Sequence, residues 1–293
     1  MTTGEEPPRF DLQAHSDHSD GALSPGQVVR LAQAAGVELL ALSDHDTVSG
    51  VPEALQAGRA AGIAVAPAVE LSAVDSEDHD LHVLGYRLAH DDAGLLESLE
   101  RFRADRGARI WRMAGALEEL GLHVDRSTLE ARSASGRSLG RPHLARAVLD
   151  EPRNETRLAD ERLADATQIL QAYLIRGTPA YRGRTTPTVE EAITAIHAAG
   201  GLAVWAHPFW DVSDAARVVA TIERFVGLGL DGVEAFYITH NRQQTLLLAD
   251  TCERLGLLTT GSSDFHGPEH PLFSRFRAFS LQGREPRLGA IAP

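Results

Sequence analysis

The chain has 293 residues, a formal net charge of -13, and 43% hydrophobic and 24% charged residues. This balance buries a full core and is unlike that of a disordered chain. The acidic excess argues against generic binding to duplex DNA, which rests on cationic neutralisation of phosphates. The single cysteine, Cys252, excludes an internal disulfide and a thiolate metal cluster. No apolar run approaches the ~20 residues that cross a bilayer, so no membrane role is expected. The first residues lack the basic and apolar regions of a secretory signal, which makes the cytoplasm the expected compartment. All 28 basic residues are arginines, which we read as coding bias.

In chain order, residues 9–15 read as a strand. Ser24-Pro25 opens a helix that Gly36 closes, and 37–43 and 63–69 read as further strands. After Tyr86 the period changes, with Leu95, Leu96, Leu99, Phe102, Ile110, Met113, Leu117 and Leu120 at helical spacing. Helical character continues through 142–149 and 157–175, which places a helical insertion at 91–184 between two parts of one domain, 1–90 and 185–293. The β/α rhythm then resumes. Thr188 and Glu191 form a capping box, 202–208 is a strand, 213–227 a helix, 232–237 a strand, 242–255 a helix and 257–264 the last strand. Seven strand candidates in an alternating pattern define an α/β protein.

Polar bursts interrupt this rhythm wherever an apolar run ends. They are His15 and Asp20, Asp44-His45, Glu70, His82, His207, and Asp264 with His266. The carboxyl ends of strands are where barrels and open α/β sheets build their sites. Imidazoles and carboxylates gathered there suit Mn²⁺, Fe²⁺ or Zn²⁺. Any one of these histidines alone is more simply a core or surface residue, but their joint recurrence at strand ends is not.

The motifs Asp11-Leu12-Gln13-Ala14-His15-Ser16-Asp17-His18-Ser19-Asp20-Gly21, Ser43-Asp44-His45-Asp46-Thr47, Val69-Glu70-Leu71-Ser72, His82-Val83-Leu84-Gly85-Tyr86, Ala206-His207-Pro208 and Gly261-Ser262-Ser263-Asp264-Phe265-His266-Gly267 resemble, in order, those of the PHP (polymerase and histidinol phosphatase) family of metal-dependent phosphoesterases. Gly140-Arg141-Pro142-His143-Leu144-Ala145 resembles a motif in the helical insertion of its 3',5'-nucleotide bisphosphate phosphatase subfamily, to which RNA 5'-end exonucleases are related. The resemblance implies a distorted seven-stranded β/α barrel and two or three divalent ions, manganese favoured. It implies that Gln13, His15, Glu70 and Asp264 surround one ion, that Glu70 bridges to a second held by His82 and His207, and that Asp20, His45 and His266 hold a third. Glu70, His207, Asp264 and His266 are the expected catalytic residues, and Arg141, His143 and Arg184 the expected substrate-binding ones.

The chain departs from the family at Gln13, where a histidine is usual. An amide oxygen is a weaker ligand than imidazole for a transition ion, so that position is expected to bind its metal least tightly. Clustered ions supply what phosphoester hydrolysis needs, a nucleophile and charge compensation. Asp46 and His240 are candidates for the acid that protonates the leaving group. His18, His79, His90, His123, His197 and His270 are read as surface or capping residues. The implied substrate is a small phosphorylated nucleotide, first a nucleoside 3',5'-bisphosphate, with trimming of short single-stranded RNA as a further activity. Two rivals remain open at this point: a histidinol-phosphatase-like phosphomonoesterase, and a non-catalytic metal- or phosphate-binding protein suggested by Gln13.

Overall fold

The computed structural model describes residues 6–75 and 80–292; His79 lies outside the described residues. The chain divides into two compact units, Met1–Leu99 with Pro187–Pro293, and Glu100–Thr186.

The larger unit is built on one seven-stranded sheet in sequence order: β1 (Phe10–Asp11), β2 (Leu39–Leu42), β3 (Ala64–Val74), β4 (Asp80–Tyr86), β5 (Leu202–Trp205), β6 (Gly232–Tyr237) and β7 (Leu258–Ser262). Closure comes from a parallel bridge between Ala14 and Phe265 and from the Leu12 N–H, which donates to the Gly261 carbonyl at 3.1 Å. The result is a nearly closed barrel with helices around it. All four residues of β2, Leu-Leu-Ala-Leu, are buried, as expected for a parallel strand covered on both faces.

Helix ends follow local rules. Ser24 caps the helix Pro25–Ala34 in a capping box with Gln27, and Thr188 does the same with Glu191 for Val189–Ala198. The helix Arg242–Leu255 stops at Gly256, whose φ of +74° favours a residue without Cβ.

The barrel breaks its rhythm at one place. β3 is parallel to β2 but antiparallel to β4, and β4 is antiparallel to β5, whereas β5, β6 and β7 are parallel. β3 was expected to end near Val69; it runs on to Val74, and β4 returns along it with Ser72 opposite His82 and Glu70 opposite Leu84. Glu70 and His82 therefore lie within strands and do not follow them. They still reach the same mouth, because an antiparallel strand begins where its neighbours end.

The smaller unit contains no strand among its described residues. Part of the long helix Ala93–Glu119, with Arg126–Ala134, Arg141–Leu149 and shorter turns, packs around Ile110, Met113, Leu117, Leu144, Val148, Ile169 and Leu174. Of the apolar positions at helical spacing, Leu96 and Leu120 are exposed and the others buried.

Candidate metal centre

Three groups of side chains at the barrel mouth have donor atoms close enough to hold a metal ion: His15, Asp20, His45 and His266; His45, Glu70 and His82; and His15, Glu70 and Asp264. Glu70 is fully buried, and its two oxygens face different imidazoles. One lies 2.7 Å from His82 Nδ1 and 3.1 Å from His207 Nε2. The other lies 3.1 Å from His15 Nε2 and 3.3 Å from His45 Nδ1. Asp264 Oδ1 is 3.1 Å from His15 Nε2, and Asp20 Oδ1 is 3.4 Å from His266 Nε2.

These contacts are close, and His207 Nε2 to Glu70 Oε1 has the geometry of a hydrogen bond, but several of the other atoms do not find one. His15 Nε2, Asp20 Oδ1, Glu70 Oε2 and Asp264 Oδ1 are buried atoms that find no aligned hydrogen-bond partner among the described residues. Native interiors seldom leave such atoms unsatisfied. Buried nitrogen and oxygen donors that converge in this way suit a cation, and this donor set suits a divalent transition ion.

The electrostatics agree. Burial opposes charge on His15, but the carboxylates of Asp264 and Glu70 outweigh it and hold the imidazole well above its usual value. Burial likewise pulls His207 down, and Glu70 brings it up to about 9. Burial also works against Glu70, Asp20 and Asp264, and their imidazole neighbours prevail: the first two lie well below the carboxylate range and Asp264 at about 2. The site thus holds its carboxylates ionised and favours protons on His15 and His207, which a metal would displace.

A surrounding set of contacts aims these donors. His266 Nδ1 is 2.7 Å from the Asp264 carbonyl; an N–H there leaves Nε2 as the lone-pair atom facing Asp20. The Tyr237 hydroxyl donates to Asp264 Oδ2 at 2.8 Å. Asp11 accepts the Ser263 N–H and the Arg277 N–H, tying the loop after β7 to β1. Asp44 accepts the Ser16 N–H at 2.7 Å and the Ser19 hydroxyl at 2.6 Å, holding the loop that carries Asp20.

Asp46, His207 and Asp264 have φ of +54°, +30° and +52°, left-handed values that non-glycine residues seldom adopt. Strain of this kind persists only where neighbours over-determine the backbone, and it concentrates at functional sites. The Asp46 N–H donates to the Glu70 carbonyl at 2.9 Å, and the His207 N–H to Glu234 Oε2 at 2.9 Å.

Glu234 was not singled out in the sequence. It is fully buried, burial pushes its carboxyl up to about 8, and it also accepts from Ser262 Oγ at 2.6 Å. A lone glutamate inside the apolar run Gly-Val-Glu-Ala-Phe-Tyr was the available signal. Gln13 is fully buried beside this pair, with Oε1 3.3 Å from Ser262 Oγ, a weaker contact than the one Ser262 makes with Glu234.

The two acid candidates fare differently from the clustered residues. Asp46 is fully buried and accepts the Ser72 N–H at 3.0 Å. Burial pushes His240 down to about 4, and its Nδ1 lies 3.2 Å from the Ala235 carbonyl. His18 is in none of the three groups. In the smaller unit, Arg141 is the first residue of its helix, and His143 Nδ1 accepts the Gly140 N–H at 3.0 Å, a capping contact. Arg184 is largely buried.

The fold and the site together define an α/β barrel that gathers imidazoles and carboxylates into overlapping cation sites at one mouth. The PHP domain matches residues 11–173, and the chain belongs to the PHP family. It is 31% identical over 259 residues to the 3',5'-nucleoside bisphosphate phosphatase of Chromobacterium violaceum, covering 88% of this chain and 87% of that one. It is 30% identical over 260 residues to the 5'-3' exoribonuclease of Haemophilus influenzae, covering 89% and 90%. Among solved structures it resembles an amidohydrolase from Chromobacterium violaceum with bound sulfate and no metal, with a TM-score of 0.79, 29% identity, and coverage of 92% of this chain and 94% of that one. No helix among the described residues is long and apolar enough to cross a membrane.

Proposed function

We propose that this protein is a metal-dependent phosphoesterase that removes a phosphate from a small nucleotide, first a nucleoside 3',5'-bisphosphate, and that short RNA with a 5' end is a second substrate class. The observation that carries this reading is the convergence of buried nitrogen and oxygen donors around Glu70, whose two oxygens face separate sets of imidazoles. The named relatives support the substrate class: one is a nucleoside bisphosphate phosphatase and another a 5'-3' exoribonuclease.

In this reading His15, Asp20, His45, Glu70, His82, His207, Asp264 and His266 hold two or three divalent ions, manganese first among them, and Gln13 offers a weak neutral oxygen to one. Bound there, the ions supply an activated nucleophile and charge compensation for the phosphoryl oxygens. The chain's own residues do the rest. Glu70 keeps two groups of donors at a fixed separation, Tyr237 and the Asp264 carbonyl orient Asp264 and His266, and Glu234 holds the backbone turn that presents His207. Such partners matter because a ligand aimed in advance loses no orientation when it binds.

Arg141, His143 and Arg184 are assigned to the phosphate that is not cleaved, a guanidinium being suited to bidentate phosphate contacts. The test is product release by metal-reconstituted protein: inorganic phosphate from adenosine 3',5'-bisphosphate and histidinol phosphate, and nucleoside 5'-monophosphate from a 5'-phosphorylated oligoribonucleotide. Highest kcat/KM on the bisphosphate is expected. Preference for histidinol phosphate would overturn the nucleotide assignment, and no release from any compound would overturn the enzymatic one.

A further inference from the structure

Aromatic residues make up only 5% of the chain, yet the loops after β5 and β7 bring several of them together. His266 is stacked on His15 at 4.3 Å between ring centroids and meets Phe273 at 5.4 Å. Phe273 in turn meets Trp210 at 5.7 Å, Tyr237 at 6.2 Å and His270 at 5.0 Å. The rings therefore run without interruption from the candidate metal centre to Trp210.

The two ends of this row differ in exposure. Phe273 is 8% exposed, whereas Trp210 is 53% exposed. By contrast Trp205 is fully buried against Phe225, with ring centroids 5.3 Å apart.

Trp210 is nevertheless held in place. It lies on the turn of helix Pro208–Asp211, its backbone N–H donates to the His207 carbonyl at 2.8 Å, and the His207 backbone N–H is in turn held by Glu234. Phe273 is clamped from both sides, its carbonyl accepting the His266 N–H and its N–H donating to His270 Nδ1, each at 2.9 Å. The ring thus rests on Phe273, whose backbone is tied to His266, while the backbone at Trp210 is tied to His207. A large aromatic face fixed in advance loses little freedom when something covers it.

We propose that Trp210, backed by Phe273, is a stacking platform for the nucleobase of the substrate, so that this one barrel unit both gathers the metal ligands and recognises the base. The inference rests on the nucleotide reading above and adds a specificity-determining residue to it. A base fits the surface better than a protein does. Among the described residues Trp210 and Leu272 are the only large exposed apolar side chains on these two loops, far short of the ~800 Å² that a stable partner covers. The ring contacts of Trp210 lead inward through Phe273 to the candidate site, and stacking is tolerant of base identity because every base offers a π-face.

The experiment combines binding and kinetics on the full chain. Adenosine 5'-monophosphate is titrated against tryptophan fluorescence with ribose 5-phosphate as the probe that lacks a base, and kcat/KM is measured on adenosine 3',5'-bisphosphate and on ribose 5-phosphate. Quenching by the nucleotide alone is expected, absent in Trp210→Ala. The loss of kcat/KM in that variant should be larger on the nucleotide by about fivefold to a hundredfold, the range that base–aromatic stacking spans. Trp210→Phe should recover most of the nucleotide rate, and Phe273→Leu, which weakens the backing, should fall between.

Equal losses on both compounds, or undiminished quenching in Trp210→Ala, would overturn the platform while leaving a phosphoesterase in place. If no variant, nor the parent protein, releases phosphate from either compound, the enzymatic reading fails, and the fluorescence titration still decides the platform. Self-association that Trp210→Ala abolishes, seen by sedimentation, together with no nucleotide quenching, would give the surface to a second copy of the chain and overturn the proposal.

Discussion

Replacing Glu70 by glutamine keeps the side chain's volume and removes one negative charge from a point 2.7 Å from His82 Nδ1, 3.1 Å from His207 Nε2 and His15 Nε2, and 3.3 Å from His45 Nδ1. Two consequences separate by whether metal is present. In metal-free protein Glu70 is the counter-charge of the His15 and His207 imidazoles, and losing one partner of a buried ion pair costs about 3–5 kcal/mol. The lower end applies here, because imidazoles left unpaired can release their protons. In the metal-loaded protein the comparison is with residues that merely orient a ligand, whose loss costs ~10–100-fold in affinity. A carboxylate facing two groups of donors should cost at least the upper figure, about 2.8 kcal/mol. Metal content after dialysis against graded chelator buffers, thermal unfolding with and without metal, and phosphate release should all be followed. Glu70→Gln is expected to lose metal and activity together and to show no rise of Tm on adding metal. Glu70→Asp, which keeps the charge but withdraws it by one methylene, should fall between. A Glu70→Gln protein with its full metal complement at parental affinity and near-normal turnover would refute the bridging assignment.

Gln13→His should raise metal occupancy at the weakest position, measured by elemental analysis at limiting metal; unchanged occupancy would mean that ligand basicity is not what limits it. Proton linkage gives a signed expectation. His207 in the metal-free protein sits at about 9, above its unfolded value of ~6.5, so its contribution to stability is fully present below ~6.5 and is lost as pH rises through about 9. A metal must displace that proton, so metal affinity should strengthen over the same window, and calorimetric titrations should record proton release on binding. Metal-free Tm values and metal affinities that stay flat across it would contradict this. Arg141→Ala should lower kcat/KM on adenosine 3',5'-bisphosphate roughly tenfold to a hundredfold, the worth of a charge-assisted bond of ~1.5–3 kcal/mol, with a much smaller loss on an aryl phosphate at equal metal loading. Equal losses on the two substrates would remove Arg141 from recognition of the second phosphate.

The alternation of apolar runs and capped helices by itself determines much of this protein. Ser24 and Thr188 cap the helices they were expected to cap, because capping needs only residues a few positions apart. The polar bursts named His15, Asp20, His45, Glu70, His82, His207, Asp264 and His266, since buried imidazole and carboxylate among apolar strands is costly without a common purpose. Only the tertiary structure decided how they meet. That Glu70 faces two sets of imidazoles depends on β3 running past the point where its apolar signal ends and on β4 returning antiparallel, a pairing between distant residues that local pattern does not encode. Glu234 and Tyr237 escaped notice for the same reason: inside an apolar strand their polar atoms have meaning only once His207 and Asp264 are brought against them from other strands. Trp210 is the plainest case. A tryptophan is as easily read as core in a sequence, and only the structure leaves this one 53% exposed with the ring of Phe273 behind it, two ring contacts from His266.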